Sequence, residues 1–255
     1  MVSIIIPMYN SEKYILDALR SALAQKVDKE IIIIDDCSTD NSLCMVLDFI
    51  KKNHNILDDK TRILVRKNSK NLGVAITRNL GVNIARGEYV AYLDADDMWA
   101  SGKLARQLDV IERADADICN TSRELIDEAG ISRDIVIGCD KLYITLEDME
   151  KTNYINCSSV LAKKDIMLKY PMKHSRKAHE DYYTWLMALK DGVRICNIDE
   201  PLLRYCVNSS GKSKNKIKSG IMTYRTYKYA GYGVIKAISM MPSYIIRGVM
   251  KHKSI

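Results

Sequence analysis

The stretch EYVAYLDADD, residues 88–97, is an apolar run that leads directly into acidic residues. Its β-branched and aromatic side chains are typical of a buried strand. Three similar runs precede it, namely VSIIIP (2–7), EIIIID (30–35) and RILVRK (62–67). Helical patterns separate the runs, at 11–26 with Ser11 as the predicted N-cap, from Asp40 to about Lys52, and at 73–86. This alternation predicts an α/β fold, a mostly parallel twisted sheet flanked by helices.

Three of the four predicted strands end in groups able to bind a ligand. These groups are Tyr9 and Asn10, Asp35 and Asp36, and Asp94 and Asp96. In open α/β sheets, ligands bind beside the carboxyl ends of the strands. Because the three groups are distant in sequence but predicted at one edge, we expect them to form a single binding site.

Asp94 and Asp96 are separated by one residue, so their carboxylates can share a divalent cation and its water shell. Mg²⁺ and Mn²⁺ prefer oxygen ligands and often keep phosphate oxygens in their shell. Such a cation neutralises the charge that builds up on a departing diphosphate. The pair therefore predicts Mn²⁺ or Mg²⁺ as cofactor, although acidic pairs at strand ends are widespread in unrelated proteins.

The acidic end of the second strand, IIIIDDCSTDNS (31–42), allows two interpretations. A carboxylate there can accept a hydrogen bond from the N–H of uracil or from ribose hydroxyls. Alternatively, Asp36, Ser38 or Asp40 caps the helix that follows. Both interpretations can hold together, since several acidic residues are available.

The second half of the chain has a less regular pattern. It predicts helices at 103–114, at 163–169 and at 179–192, where Gly192 lies just past the end, and strands at 116–121 and 193–199, the latter followed by PLLRY. The polar stretch NSSGKSKNKIKS (208–219) is predicted to be a loop. Residues 220–255 have apolar residues at loosely helical spacing with basic residues between them.

The net charge of +7 is concentrated at the C-terminal end of the chain. After Glu200 there are eleven Lys or Arg and no Asp or Glu, whereas residues 1–200 hold 28 basic and 32 acidic residues. This basic tail is either a solvated segment or a surface that meets phosphates, in lipid head groups or in a polyprenyl diphosphate. No nucleic-acid-binding motif accompanies the charge, and we expect no nucleic-acid partner.

The cysteines and the apolar segments indicate the compartment. Seven cysteines at irregular spacing, without a C-x-x-C pair, argue against a disulfide framework and a structural zinc and fit a reducing compartment. The N-terminal MVSIIIPMYN lacks the basic and apolar regions of a signal peptide, and no window approaches the roughly 20 apolar residues of a membrane span. We expect a cytoplasmic protein, peripheral on the inner face of the cytoplasmic membrane.

Five segments occur together in an informative order. They are IIPMYN, IIIIDDCSTDNS, NLGVAITRNLG (71–81), GEYVAYLDADD and HEDYYTWL (179–186). In this order they resemble bacterial family 2 inverting glycosyltransferases of GT-A fold, over about residues 2–205. The resemblance implies a GT-A domain at 1–205, with a nucleotide-sugar half at about 1–115 and an acceptor half at about 116–205, and a basic helical tail at 206–255. The tail resembles that of O-antigen β-1,3-glucosyltransferases, which act on amino sugars linked to undecaprenyl diphosphate.

The resemblance also implies roles for single residues on the donor side. Pro7, Tyr9 and Asn10 would line the nucleoside site, Asp36 or else Asp35 would meet the uracil, Asp94 would contact the ribose, Asp96 would bind the metal with Asp94 beside it, and Ala95 would lie between them in the same site. Asp97 would be a near neighbour of the metal. Arg78 would lie near the nucleotide, although a structural salt bridge is an equal alternative.

On the acceptor side, Asp181 resembles the catalytic base. An inverting transfer is one in-line displacement, so a carboxylate must remove the proton of the acceptor hydroxyl. Glu180 and Trp185 would bind the acceptor, but Glu180 and Asp181 can also complement a helix N-terminus, and Trp185 can be a core residue. His179 is predicted to lie at the helix entry.

One departure from the family pattern concerns the third contact to the metal. Family members often carry a His after the R-Y segment, whereas residues 204–213 here read RYCVNSSGKS. Lys212 and Lys214 are candidates for diphosphate contacts in place of that His, or are simply solvated.

The predicted function is transfer of glucose or galactose from a UDP-sugar to a hydroxyl of undecaprenyl-diphosphate-linked GlcNAc or GalNAc. A polyprenyl-phosphate glycosyltransferase would use a similar core. A sugar nucleotidyltransferase would also use paired acids, but PMYNSEKY lacks the expected Gly-rich loop, and no G-x-G-x-x-G supports a dinucleotide-dependent oxidoreductase. A non-catalytic binding module would have no need of Asp181.

Overall fold

The computed structural model describes residues 1–53, 61–174, 177–207 and 216–253. The strands are β1 (Val2–Met8), β2 (Lys29–Asp35), β3 (Arg62–Lys67), β4 (Tyr89–Tyr92), β5 (Met98–Trp99), β6 (Ile118–Ile126), β7 (Ser132–Ile137), β8 (Tyr143–Ile144), β9 (Leu161–Lys163) and β10 (Ile195–Cys206). The helices are α1 (Ile15–Leu23), α2 (Ser42–Lys52), α3 (Val74–Ile84), α4 (Lys103–Arg113), α5 (Leu146–Lys151), α6 (Lys164–Lys169), α7 (Glu180–Lys190), α8 (Lys216–Tyr229) and α9 (Val234–Lys253), with a short 3-10 helix at Cys157–Ser159.

The N-terminal half forms the predicted parallel sheet. Strands β3, β2, β1 and β4 are neighbours in that order, and every pairing among them is parallel. The four isoleucines of β2 alternate between two hydrophobic clusters, Ile32 and Ile34 on one face and Ile31 and Ile33 on the other. This burial on both faces explains why β2 is a continuous apolar run rather than an alternating one.

The direction of the sheet changes beside β4. Strand β9 pairs antiparallel with both β4 and β6, and β6 pairs parallel with β10. Strands β5 and β8 pair antiparallel with β10, and β7 pairs antiparallel with β6. The fold is therefore the expected α/β type, with a mixed sheet flanked by helices. Strands β5, β8 and β9 were not predicted, because runs of two or three residues lack a readable period, and β7 was not predicted because none of its six residues is fully buried.

Several element boundaries differ from the predictions. Helix α1 begins at Ile15, preceded by a turn in which the carbonyl of Ser11 accepts from the N–H of Tyr14. Ser11 is therefore not its N-cap. Strand β1 continues through Pro7 to Met8, and the predicted segments 193–199 and PLLRY form one strand with register shifts around Pro201.

The C-terminal helices pack on the core of the sheet domain. Tyr227 of α8 and Ala237 and Met240 of α9 belong to the same buried cluster as Tyr182 and Trp185 of α7. Within the described ranges, no helix has both the length and the apolar character needed to cross a bilayer.

Candidate active site

The carboxyl ends of β1, β2 and β4 lie side by side, which brings the three predicted polar groups to one edge of the sheet. Met8 is paired with Asp35, and Ile5 is paired with Tyr92. Each strand continues from there into a loop that is held by side-chain hydrogen bonds.

The loop after β1 is fixed to the loop after β2. The amide oxygen of Asn10 accepts from the backbone N–H of Thr39 at 2.9 Å, and the N–H of Asn10 donates to Ser38 Oγ at 3.0 Å. Asn10 has a φ of 48°, a left-handed conformation that Asn tolerates better than most residues. Pro7 is buried in β1, whereas Tyr9 is 48% exposed and turns its ring to solvent at the site.

The carboxylate of Asp36 organises the N-terminus of α3. Its Oδ1 accepts from Asn68 Nδ2 and from the N–H of Leu72, and its Oδ2 accepts from the N–H of Gly73, all at 2.8 Å. Asp35 is fully buried, and its Oδ1 accepts from the N–H of Ser38 at 3.0 Å. Asp36 thus fixes Leu72 and Gly73, the two residues that precede α3, and does not cap α2, the helix that directly follows it.

Arg78 connects the acidic end of β4 with the start of α7. Its Nη2 donates to Asp94 Oδ1 at 2.6 Å, and its Nη1 donates to Glu180 Oε1 at 3.3 Å. Burial by itself would lower the pKa of Arg78, but Asp94 and Glu180 outweigh it and raise the pKa well above its usual value. The two distances show that the structural salt bridge is present, and Arg78 is only 4% exposed.

The segment Asp94–Asp97 forms a turn that crowds three carboxylates. The N–H of Asp97 donates to the carbonyl of Asp94, and Asp97 Oδ1 accepts from the N–H of Cys206. Burial and the carboxylates of Asp96 and Asp94 raise the pKa of Asp97 well above its usual value. Ala95 is 5% exposed and packs in the core between two partly exposed carboxylates.

This cluster fits a divalent cation only as an incomplete set of ligands. In the parts of the chain that the structure describes, no three His, Cys, Asp or Glu side chains are arranged to hold a metal ion. Asp97 Oδ2 is buried without a hydrogen-bond partner, and the mutual repulsion of the three carboxylates favours a positive charge beside them. Asp94 and Asp96 would supply two oxygens, and substrate phosphates and water would complete the shell.

Asp181 lies in the first turn of α7, directly after Glu180, which Arg78 contacts. Its Oδ1 accepts from the N–H of Tyr182 at 2.7 Å. Burial raises the pKa of the Cys157 thiol well above its usual value. The charge of Arg78 lowers this pKa, and the charges of Asp94, Asp181 and Glu180 raise it further. Together with the Arg78 bridge, these interactions bring the carboxyl end of β4 close to the acidic start of α7.

The structure corrects one predicted contact and leaves two outside its range. Trp185 is fully buried in the core, so no face of its indole is open to a sugar, and the prediction that it stacks on the acceptor is wrong. Lys212 and Lys214 lie outside the described residues. His179 precedes α7 as predicted, with its N–H donating to Thr226 Oγ1 and its Nε2 3.3 Å from the carbonyl oxygen of Ser219.

Two residues of the site carried no signal in the sequence. Ser158 Oγ accepts from the N–H of Asp94 at 3.0 Å, and its carbonyl accepts from Trp99 Nε1 at 2.7 Å. Asn68 supports Asp36 from the end of β3. Ser158 belongs to the unpredicted 3-10 helix before β9, so its proximity to Asp94 depends on a strand pairing that no local pattern reveals.

The sequence profile described as "Glycosyl transferase family 2" matches residues 3–176. The putative teichuronic acid biosynthesis glycosyltransferase TuaG of Bacillus subtilis is 31% identical over 229 residues, which are 89% of this chain and 87% of that protein. The UDP-Glc:alpha-D-GlcNAc-diphosphoundecaprenol beta-1,3-glucosyltransferase WfaP of Escherichia coli is 32% identical over 258 residues, which are 99% of this chain and 95% of that protein.

Solved structures share the fold at low sequence identity. Residues 1–349 of TarS from S. aureus, in complex with UDP-GlcNAc, superpose with a TM-score of 0.70 and 18% identity over 96% of this chain and 71% of that one. The mannosyltransferase PcManGT from Pyrobaculum calidifontis, in complex with GDP-Man and Mn²⁺, superposes with a TM-score of 0.70 and 17% identity over 95% of this chain and 68% of that one.

Proposed function

Since the chain belongs to glycosyl transferase family 2 and is a glycosyltransferase of GT-A fold, we propose that it transfers a hexose, glucose or galactose, from a UDP-sugar to a lipid-linked amino sugar. The acceptor is a hydroxyl of GlcNAc or GalNAc on undecaprenyl diphosphate, in the synthesis of O-antigen or another surface polysaccharide. The observation that carries the proposal is the Arg78 bridge, which joins Asp94 after β4 to Glu180 at the start of α7.

We assign the uridine of the donor to the ends of β1 and β2. A carboxylate offers about four acceptor positions, and Asp36 uses three of them on backbone and amide N–H groups. One position on Oδ2 remains for the N–H of uracil. The exposed ring of Tyr9 lies at the same edge and supplies a surface on which the base can stack. WfaP, which matches nearly the whole chain, is named for a UDP-Glc donor.

Asp94 and Asp96 are the residues that would hold Mn²⁺ or Mg²⁺. Because Asp94 Oδ1 is engaged by Arg78, its other oxygen is the one that remains for a cation or a ribose hydroxyl. When bound, the cation would neutralise negative charge on the leaving diphosphate. Arg78 itself touches two carboxylates and is buried, so we assign it the task of holding Asp94 and Glu180 in place.

Asp181 is the proposed base. Its Oδ1 accepts a backbone N–H, and among the described residues its Oδ2 has no hydrogen-bond partner. That oxygen takes the proton of the acceptor hydroxyl while the hydroxyl oxygen attacks the anomeric carbon of the donor. The bond from that carbon to the diphosphate breaks, UDP leaves with the electron pair, and the configuration inverts.

The experiment uses two aspartates in matched positions. Asp181 and Asp165 each lie in the first turn of a helix and accept from the N–H of the next residue, at 2.7 and 2.8 Å. Release of UDP is measured with Mn²⁺ and a panel of UDP-sugars against lipid-diphosphate-linked GlcNAc and GalNAc analogues. We expect Asp181→Asn to abolish transfer and to retain UDP binding, and Asp165→Asn to behave as wild type.

Several outcomes would contradict the proposal. Full transfer by Asp181→Asn would remove Asp181 as the base. Transfer to a polyprenyl phosphate but to no sugar hydroxyl would favour a polyprenyl-phosphate glycosyltransferase. Release of pyrophosphate from UTP and a sugar phosphate would identify a nucleotidyltransferase instead.

A further inference from the structure

Over residues 234–246, helix α9 is apolar on two opposite faces, and the described part of the chain covers one of them. The covered face contributes Ala237 and Met240 to the core, with Met241 and Tyr244 packed beside them. These residues fix α9 on the surface of the domain, next to α5 and α8.

Over the same residues, the opposite face of α9 carries large apolar side chains in solvent. Ile235 is 86% exposed, Ile238 57%, Ile245 53% and Ile246 59%. At 3.6 residues per turn these four positions fall within an arc of about 100°, and we call them the Ile face. A single exposed isoleucine needs no explanation, but a helix that is apolar on both sides is normally covered on both.

The charge of the surrounding segment indicates what covers the Ile face. Residues 201–255 contain eleven Lys or Arg and no acidic residue. Apolar side chains on a helix within a strongly basic segment match the surface of an anionic bilayer. A second copy of the chain would bring two such basic segments together, and their repulsion opposes a dimer through this face.

We propose that the Ile face inserts into the head-group layer of an anionic lipid bilayer. The need for a lipid-linked acceptor rests on the proposed function, whereas the surface itself rests on exposure and charge alone. Helix α8 connects this surface to the site, because Thr226 Oγ1 accepts from the N–H of His179 and α7 begins at the next residue. Docking of α9 would therefore hold the start of α7, with Asp181, close to the lipid surface, where a membrane-embedded diphosphate presents its sugar.

The test compares two matched double variants of the full chain. Ile235→Ser with Ile238→Ser removes half of the Ile face. Ile131→Ser with Val136→Ser removes two apolar side chains of the β6–β7 hairpin that are also more than half exposed, at 64% and 57%. Partition is measured by co-sedimentation with vesicles of phosphatidylcholine and phosphatidylglycerol at roughly 3:1, and with phosphatidylcholine alone. Thermal melting checks that both variants are folded.

We expect the Ile-face variant to lose at least about tenfold in partition to the anionic vesicles, while the hairpin variant partitions as wild type does. Wild type should bind neutral vesicles more weakly than anionic ones. Equal partition of the two variants would overturn the proposal. A concentration-dependent dimer in light scattering that the Ile-face substitutions dissociate would overturn it too, because the face would then bind a second copy.

Transfer to a water-soluble acceptor separates this inference from the proposed function. We expect the Ile-face variant to release UDP from a soluble acceptor at the wild-type rate. If wild type transfers to no acceptor while the vesicle results are as expected, the proposed function falls and the lipid surface stands.

Discussion

Replacing Arg78 with methionine tests whether the site depends on the bridge between β4 and α7. The substitution keeps most of the apolar stem and removes the guanidinium that donates to Asp94 and Glu180. Breaking a buried ion pair costs about 3–5 kcal/mol, because the opposite charge no longer offsets the burial of the remaining carboxylates. The side chains of Asp94 and Glu180 are 30% and 12% exposed, so water recovers part of that loss and we expect about 3 kcal/mol.

The assay for Arg78→Met is unfolding by heat and by denaturant. For a chain of this length, about 3 kcal/mol corresponds to a fall of roughly 6–12 °C in Tm. The control is Arg106→Met, which removes an exposed arginine paired with Asp109 and Glu200. Its side chain is 45% exposed, and we expect a loss within about 1 kcal/mol.

A double-mutant cycle with Glu180→Gln decides whether the bridge is the cause. If Arg78 holds Glu180, the second substitution destabilises the Arg78→Met background less than it destabilises wild type, by about 1–3 kcal/mol. Effects that add within about 0.5 kcal/mol would refute the reasoning. The rate of sugar transfer should fall in Arg78→Met mainly through kcat, because Asp94 and Glu180 lose their fixed positions. The loops after β1 and β2, which are proposed to bind the uracil, stay intact.

Three further predictions concern stability and donor binding. Burial lowers the pKa of Lys103 from 10.5 to about 7, so between pH 7 and 10.5 the unfolded chain binds a proton that the folded chain does not. We therefore expect the free energy of unfolding to rise with pH between these values, and we expect Lys103→Met to flatten that rise in denaturation curves. Gly81→Ala should lower Tm because the added methyl meets Ile5, whereas Gly220→Ala, in an uncrowded position of α8, should raise stability by up to about 1 kcal/mol; an equal response would contradict the packing. Asp36→Ala should weaken UDP binding in calorimetry and lower Tm together, and a loss of only one would separate its two tasks.

The donor half of the fold followed from local patterns because its strands are long and apolar. The run Ile31–Ile34 is buried on both faces, and its neighbours in the sheet are the strands nearest in sequence. When pairing is this local, strand order and the common edge follow from the alternation of strands and helices. The prediction that the ends of β1, β2 and β4 share one edge of the sheet is confirmed for that reason.

The acceptor half depended on contacts between distant segments. The three residues of β9 reverse the direction of the sheet, and Ser158 reaches Asp94 only because β9 lies beside β4. Trp185 follows Asp181 on α7, but helical spacing alone does not say which face of the helix meets the core. Tertiary packing determines which face is buried, and it places the large indole of Trp185 in the core.

The position of β10 has a consequence for the order in which the enzyme is made. This strand is late in the sequence, yet it lies between β6 and β5, and the N–H of its last residue, Cys206, holds Asp97 in the acidic turn. A nascent chain can complete β1 to β4 and then β5 and β6 before β10, the strand that pairs with both β5 and β6, has been synthesised. Pairing across such distances is slow, because a long loop must close before any contact forms. We expect the ribosome-bound chain to form the sheet edge at the ends of β1, β2 and β4 early, and to become active only when β10 has emerged and inserted. Ribosome stalling before residue 206 should therefore yield a compact but inactive intermediate.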